Sequence, residues 1–233
     1  MKQLRALALI ALRGAVAAAA TYYAYRYCAQ FFQLWDTEQP LQWWAGRATG
    51  IGAYIALALS MFFGLMVSSR GLDGAIGRRT ILEHHQQWAL SAVVFSVAHV
   101  IVIATDGYVD IDLRGSLVPG QSAHLTGAVA VGTLALWGIA VLVVSSWLRA
   151  YMNYVVWRTI HATATGAFLL ALAHGLVAGT DTKYALARWV YLGSGAAVFG
   201  ATVFRLLYEA RRARTDAAAA RRPAAPAPPA PSA

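Results

Sequence analysis

Residues 85–99 read HQQWALSAVVFSVAH, and residues 157–181 read WRTIHATATGAFLLALAHGLVAGTD. Each stretch is apolar over about one membrane thickness, and each carries a histidine towards either end: His85 and His99 in the first, His161 and His174 in the second. The intervals are 14 and 13 residues, or about 21 and 20 Å along a helix rising about 1.5 Å per residue. A coordinating side chain inside an apolar span is costly unless it faces the interior of a helix bundle. Four such imidazoles on two helices therefore locate the chemistry of this chain.

The composition around them is that of a membrane protein. Of 233 residues, 59% are hydrophobic and 12% charged, with a mean hydropathy of +0.52. The charge fraction is about half that of an ordinary soluble domain. This excludes a soluble enzyme and a disordered chain. The formal charge of +9 sits between apolar runs instead of on a polar face, so no nucleic-acid partner is expected. The single cysteine, Cys28, allows no internal disulfide, no C-x-x-C redox pair and no thioether-linked haem. Gly71, Gly74 and Gly77 lack the spacing and preceding strand of a dinucleotide fingerprint.

With about 20 apolar residues needed per span, five stretches qualify: 44–67, 84–105, 123–146, 157–179 and 185–207. Charges, glycines or tryptophans such as Trp44, Trp147 and Trp157 bound them. A sixth span is expected within 6–32, with Arg13 and Arg26 snorkelling to opposite interfaces. The competing expectation for that segment is a cleaved signal peptide, which Arg13 interrupts. Placing the N-terminus inside puts 14 of the 19 basic residues on the cytoplasmic side, as positively charged loops require. The expected architecture is thus an all-α integral membrane protein, a six-helix bundle over 1–208 in the inner (plasma) membrane with both termini cytoplasmic. Residues 209–233, rich in Ala, Pro and Arg, are expected to form a disordered basic tail.

Both histidine-bearing helices then run from inside to outside. His85 is level with His161, and His99 with His174. Paired imidazoles on facing helices suit a b-type haem, one nitrogen on each side of the iron. The expectation is two stacked haem b groups, the inner iron on His85 and His161, the outer on His99 and His174. The alternative is a non-redox proton or metal transporter with pore-lining histidines. Zinc is disfavoured, because pairs about 20 Å apart cannot converge on one ion. One difficulty is geometric: 14 residues return to within about 40° of the same helix face, but 13 leave about 140°. Distortion in the small, Thr-rich segment 162–166, helix tilt, or haems approached from different sides would reconcile the two.

The sequence resembles the ferric reductase-like transmembrane domain family, which includes ferric reductases, NADPH oxidases and the haem-bearing membrane subunit of a methionine sulfoxide reductase system. The resemblance lies in GRATGIGAY (46–54) running to LMVSSR (65–70), HQQWALSAVVFSVAH (85–99), VSSWLR (144–149) and the 157–181 stretch. It implies inner haem ligands at His85 and His161, outer ligands at His99 and His174, and electron flow from the cytoplasmic face to an outer acceptor. Larger members continue into an FAD and NAD(P)H-binding domain, which this sequence does not contain. The chain is therefore expected to be an oxidoreductase membrane subunit that takes electrons from a separate flavoprotein reductase or from quinol, with any flavin or quinone on a partner or at the membrane surface. No catalytic side chain of its own is expected. His84 is the alternative register for His85, and His124 is expected to be interfacial. Haem propionates want cations near the interfaces: Arg47 is the outer candidate, with Arg114 behind it, and Arg70, Arg79 and Arg158 are available inside. Asp106, Asp110 and Asp112 are expected to form a solvated acidic loop.

Overall fold

The computed structural model describes residues 41–69 and 77–220, together with Ala75 and seven residues between Gly14 and Tyr23. Among these there are helices and no strand. The long helices are α1 (Leu41–Ser69), α2 (Arg78–Thr105), α4 (Thr126–Trp147), α5 (Tyr154–Ala162), α6 (Ala164–Ala178) and α7 (Ala185–Ala220), with a short α3 (Leu113–Leu117) after α2. Among the described residues five segments are long and apolar enough to cross a membrane: α1, α2, α4 with the turn that follows it, α5 with α6, and α7. The expected span at 6–32 lies outside the described residues, apart from the seven above.

Two boundaries differ from expectation for identifiable reasons. The span expected at 157–179 is broken at Thr163, where φ is −71° and ψ −5°. The tail expected to be disordered from 209 instead continues α7 as helix to Ala220. Residues 209–220 are mostly alanine, arginine and glutamate, all strong helix formers, and no proline occurs between 209 and Pro223. Pairs one turn apart support it, Arg205 with Glu209 at 3.0 Å and Arg212 with Asp216 at 3.8 Å. Residues 221–233 lie outside the described residues.

Helices α1 and α2 form an antiparallel pair packed at close range, because α1 presents glycines to α2. A Cβ on Gly46 would fall 2.8 Å from Ile103 Cδ1, and one on Gly52 3.3 Å from the Phe95 ring. Small residues of this kind let helix backbones approach in lipid, where no hydrophobic force drives them together. Helices α4 and α6 form a second antiparallel pair, with Gly138 against Ala167. The pairs meet in a core that includes Tyr54, Ile81, Phe95, Phe168 and Tyr191. Tyr54 is its centre: it stacks on Phe168 at 5.9 Å, tilts against Tyr191 at 4.7 Å, and shares a 2.7 Å hydrogen bond with Ser194 Oγ. The outward faces are apolar. Val177, Trp189 and Phe199 are each about two-thirds exposed or more, a surface suited to lipid and unsuited to water. Trp147 is exposed as an interfacial residue should be, whereas Trp44 is buried beneath Arg47, whose guanidinium lies 4.5 Å from its ring.

Candidate functional site

The four histidines meet in two pairs. His85 of α2 faces His161 of α5 with ring centres 6.0 Å apart, and His99 of α2 faces His174 of α6 at 6.5 Å. The ring planes are steeply crossed in both, at 83° and 72°. His84 points elsewhere, stacking on Phe63 at 5.3 Å, so the register that forms the pair is that of His85. The aromatic layer of Tyr54, Phe95 and Phe168 belongs to helix segments between the two pairs.

Three of the histidines are held by one repeated device. His99 Nδ1 donates to the Gly46 carbonyl at 2.7 Å, and its ring lies against Gly50, where a Cβ would stand 3.0 Å from ring atoms. His85 Nδ1 donates to the Ser60 carbonyl at 2.9 Å, with its ring against Gly64 at 3.0 Å. His174 Nδ1 donates to the Ala128 carbonyl at 2.8 Å, and a Cβ on Gly132 would fall 2.6 Å from that nitrogen. In each case the accepting carbonyl lies four residues, one helical turn, before the glycine. Gly50 and Gly64 are 14 residues apart on α1, matching His99 and His85 on the antiparallel α2. A carbonyl only accepts, so Nδ1 carries the proton and Nε2 keeps its lone pair for a metal.

His161 lacks this arrangement. Its Nδ1 is buried with no hydrogen-bond partner among the described residues, and its ring stacks on Trp157 at 4.9 Å and 21°. Trp157 Nε1 is likewise buried without a partner, and Arg149 lies over the same indole at 4.4 Å. The break at Thr163 falls inside the segment whose distortion would bring the 13-residue interval into line. A tighter, 3₁₀-like turn rotates about 120° per residue instead of about 100°, which moves His161 and His174 towards one face.

These residues fit a haem. An imidazole–metal–imidazole unit needs about 2 Å per metal–nitrogen bond and about 1.1 Å from each nitrogen to its ring centre, about 6 Å in all, close to both observed separations. Two imidazoles fill only two positions on an iron, and among the described residues no three His, Cys, Asp or Glu side chains gather as a metal site. A porphyrin would supply the remaining donors. Around the His99–His174 pair lies a cavity, partly open to the surroundings. Its lining includes His99, His174, Gly50, Gly132, Tyr54 and Arg47, and His85 and His161 are not part of it.

Arg47 reaches this cavity already engaged with Asp181. Its Nε donates to Oδ2 at 2.9 Å and its Nη2 to Oδ1, a two-pronged, largely buried ion pair. Asp181 lies on the turn Thr180–Lys183 between α6 and α7, so the pair ties the start of α1 to the α6–α7 connection at the same end of the bundle. Asp181 is the site residue that sequence reasoning did not single out. The signal available was a carboxylate just after one span and an arginine near the start of another. Of the remaining candidates, Arg114 is exposed and Arg79 pairs with Glu83 at 2.9 Å. Arg70 lies outside the described residues. His124 is exposed and lines the same cavity. The acidic loop is not simply solvated: Asp106 is buried, and Asp112 caps α3 by accepting from Gly115 N at 2.7 Å.

Searches of protein-family models and of curated proteins return no match to this sequence. The functional reading therefore rests on the fold and the histidine geometry.

Proposed function

We propose that this chain is a six-helix membrane cytochrome of the ferric reductase-like type, carrying two haem b groups and moving electrons across the bilayer. The observation that carries the proposal is the pair of facing imidazole pairs, three of their four rings held by Nδ1, which leaves the Nε2 lone pair free for a metal. His85 and His161 would hold the inner iron, and His99 and His174 the outer. Bound haem supplies the one-electron chemistry. The protein's part is to fix the imidazoles, set ligand basicity through the Nδ1–H···O=C bonds, and exclude water with the aromatic core. In this proposal residues 6–32 supply the sixth span and both termini are cytoplasmic in the inner membrane. The donor is a flavoprotein reductase or quinol, the acceptor lies on the outer side, and the chain acts as an oxidoreductase membrane subunit. Arg47 serves an outer propionate only as part of its pair with Asp181.

The test is a reduced-minus-oxidised visible spectrum and a haem assay of the full chain purified in detergent. Low-spin b-type bands with two haems per chain are the expected result. Protein that folds without haem overturns the proposal and leaves histidine-lined transport of protons or metal ions as the reading to pursue.

A further inference from the structure

The four imidazoles are not held alike, and the difference falls on one residue. His85, His99 and His174 each have a glycine seat and a carbonyl acceptor. His161 has neither. Stepping 13 residues back from His174 to His161 corresponds, on the antiparallel α4, to stepping 13 residues forward from Gly132 to Ser145. At that register position stands a serine, whose Oγ is turned back onto the Leu142 carbonyl of its own helix at 3.1 Å. The helix that carries His161 is also short and unburied. α5 is nine residues long, has no buried residue, and is cut from α6 at Thr163. The opposite ligand, His85, sits on the unbroken 28-residue α2.

Resting on the di-haem reading above, we propose that His161 is an exchangeable ligand: the inner iron accepts a small exogenous σ-donor, such as carbon monoxide or free imidazole, in place of His161, while the outer iron keeps both histidines. An Nδ1–H···O=C bond orients a ligating imidazole and raises its basicity, and loss of such support typically weakens metal binding by about 10–100-fold. The exchange breaks the bond from His161 Nε2 to iron and forms one from iron to the incoming donor atom. No electron changes hands and no proton moves. The freed ring turns about the Thr163 break and keeps its stacking on Trp157. The inner site thereby gains a coordination position for a small ligand on the face of α5.

The experiment uses the full chain in detergent, reduced with dithionite and titrated with carbon monoxide. It is run on the natural protein and on His174→Ala and His99→Ala, either of which removes the outer haem. Expected are a carbon monoxide shift in one of the two haems of the natural protein, and in the haem that remains in either variant, with affinity about 10–100-fold above that of the outer haem. A shift of neither haem, a shift of both with equal affinity, or loss of the shift in these variants overturns the proposal. Absence of b-type bands before any gas is added overturns the di-haem reading instead, so the two failures are distinguishable.

Discussion

His174 and Gly132 stand in a relationship that admits no other residue at 132: a Cβ there would lie 2.6 Å from His174 Nδ1, the nitrogen that donates to the Ala128 carbonyl one turn earlier. The same helix turn thus provides both the space for the ring and the acceptor that orients it. The arrangement recurs at His99 and His85, and it makes helix backbone, not side chains, the holder of three proposed ligands.

Gly132→Ala separates this contact from helix propensity. Alanine gains about 1 kcal/mol over glycine in a helix interior, whereas forcing a methyl into a packed contact costs about 1–3 kcal/mol. Because the neighbour is a rigid ring tied to a carbonyl, the clash is expected to win. On the di-haem reading, the substituted protein should lose most of the haem at His99–His174 and keep the one at His85–His161. The milder 3.0 Å contact at Gly64 should make Gly64→Ala the weaker perturbation of the inner haem. A haem assay with absorbance spectra of both variants checks the order.

His99→Ala and His174→Ala should each reduce haem content from two per chain to one, whereas His84→Ala should leave it at two. His84 stacks on Phe63 and lies outside the pair. Equal loss on substituting His84 and His85 would show the pairing to be misassigned.

Asp181→Asn should destabilise the fold more than an exposed charge change would. Its pair with Arg47 is largely buried, and breaking a buried pair leaves an uncompensated charge at a cost of about 3–5 kcal/mol. The exposed Arg79–Glu83 pair is the control, since surface pairs contribute only about 0–1 kcal/mol. Thermal unfolding in one detergent should show a clear drop for Asp181→Asn and almost none for Glu83→Gln.

Tyr54→Phe keeps the stack on Phe168 and removes the bond to Ser194, so a loss of about 1 kcal/mol is expected. Tyr54→Ala opens a cavity between the histidine pairs and should cost about 3–5 kcal/mol. The two variants measured by the same unfolding assay give the ratio.

The extension of α7 beyond the bundle should be dispensable for the site. Ending the chain after Tyr208 removes the segment that carries Glu209 and Arg212 without touching a histidine, and haem content should not change. Circular dichroism should register the lost turns of helix.

Much of this architecture is legible in the order of residues, because the properties concerned are local and additive. Apolar run length sets which stretches suit a bilayer, and the histidine intervals on two such stretches set the possibility of two levels. Glycine spacing on α1 signals a close neighbour, although it does not say which. Helicity beyond Tyr208 follows from the alanines and arginines of 209–220, whereas the prolines that oppose a helix begin only at Pro223. What the linear order does not contain is the third dimension of contact. Which carbonyl takes each Nδ1 proton, that Arg47 finds Asp181 134 residues away, that His85 instead of His84 meets His161, and that the helix breaks at Thr163 all depend on how antiparallel helices settle against one another. Sequence by itself determined the apolar spans and the intervals between the histidines. Tertiary structure alone decided the register, and register decides which backbone oxygen and which missing Cβ each imidazole meets.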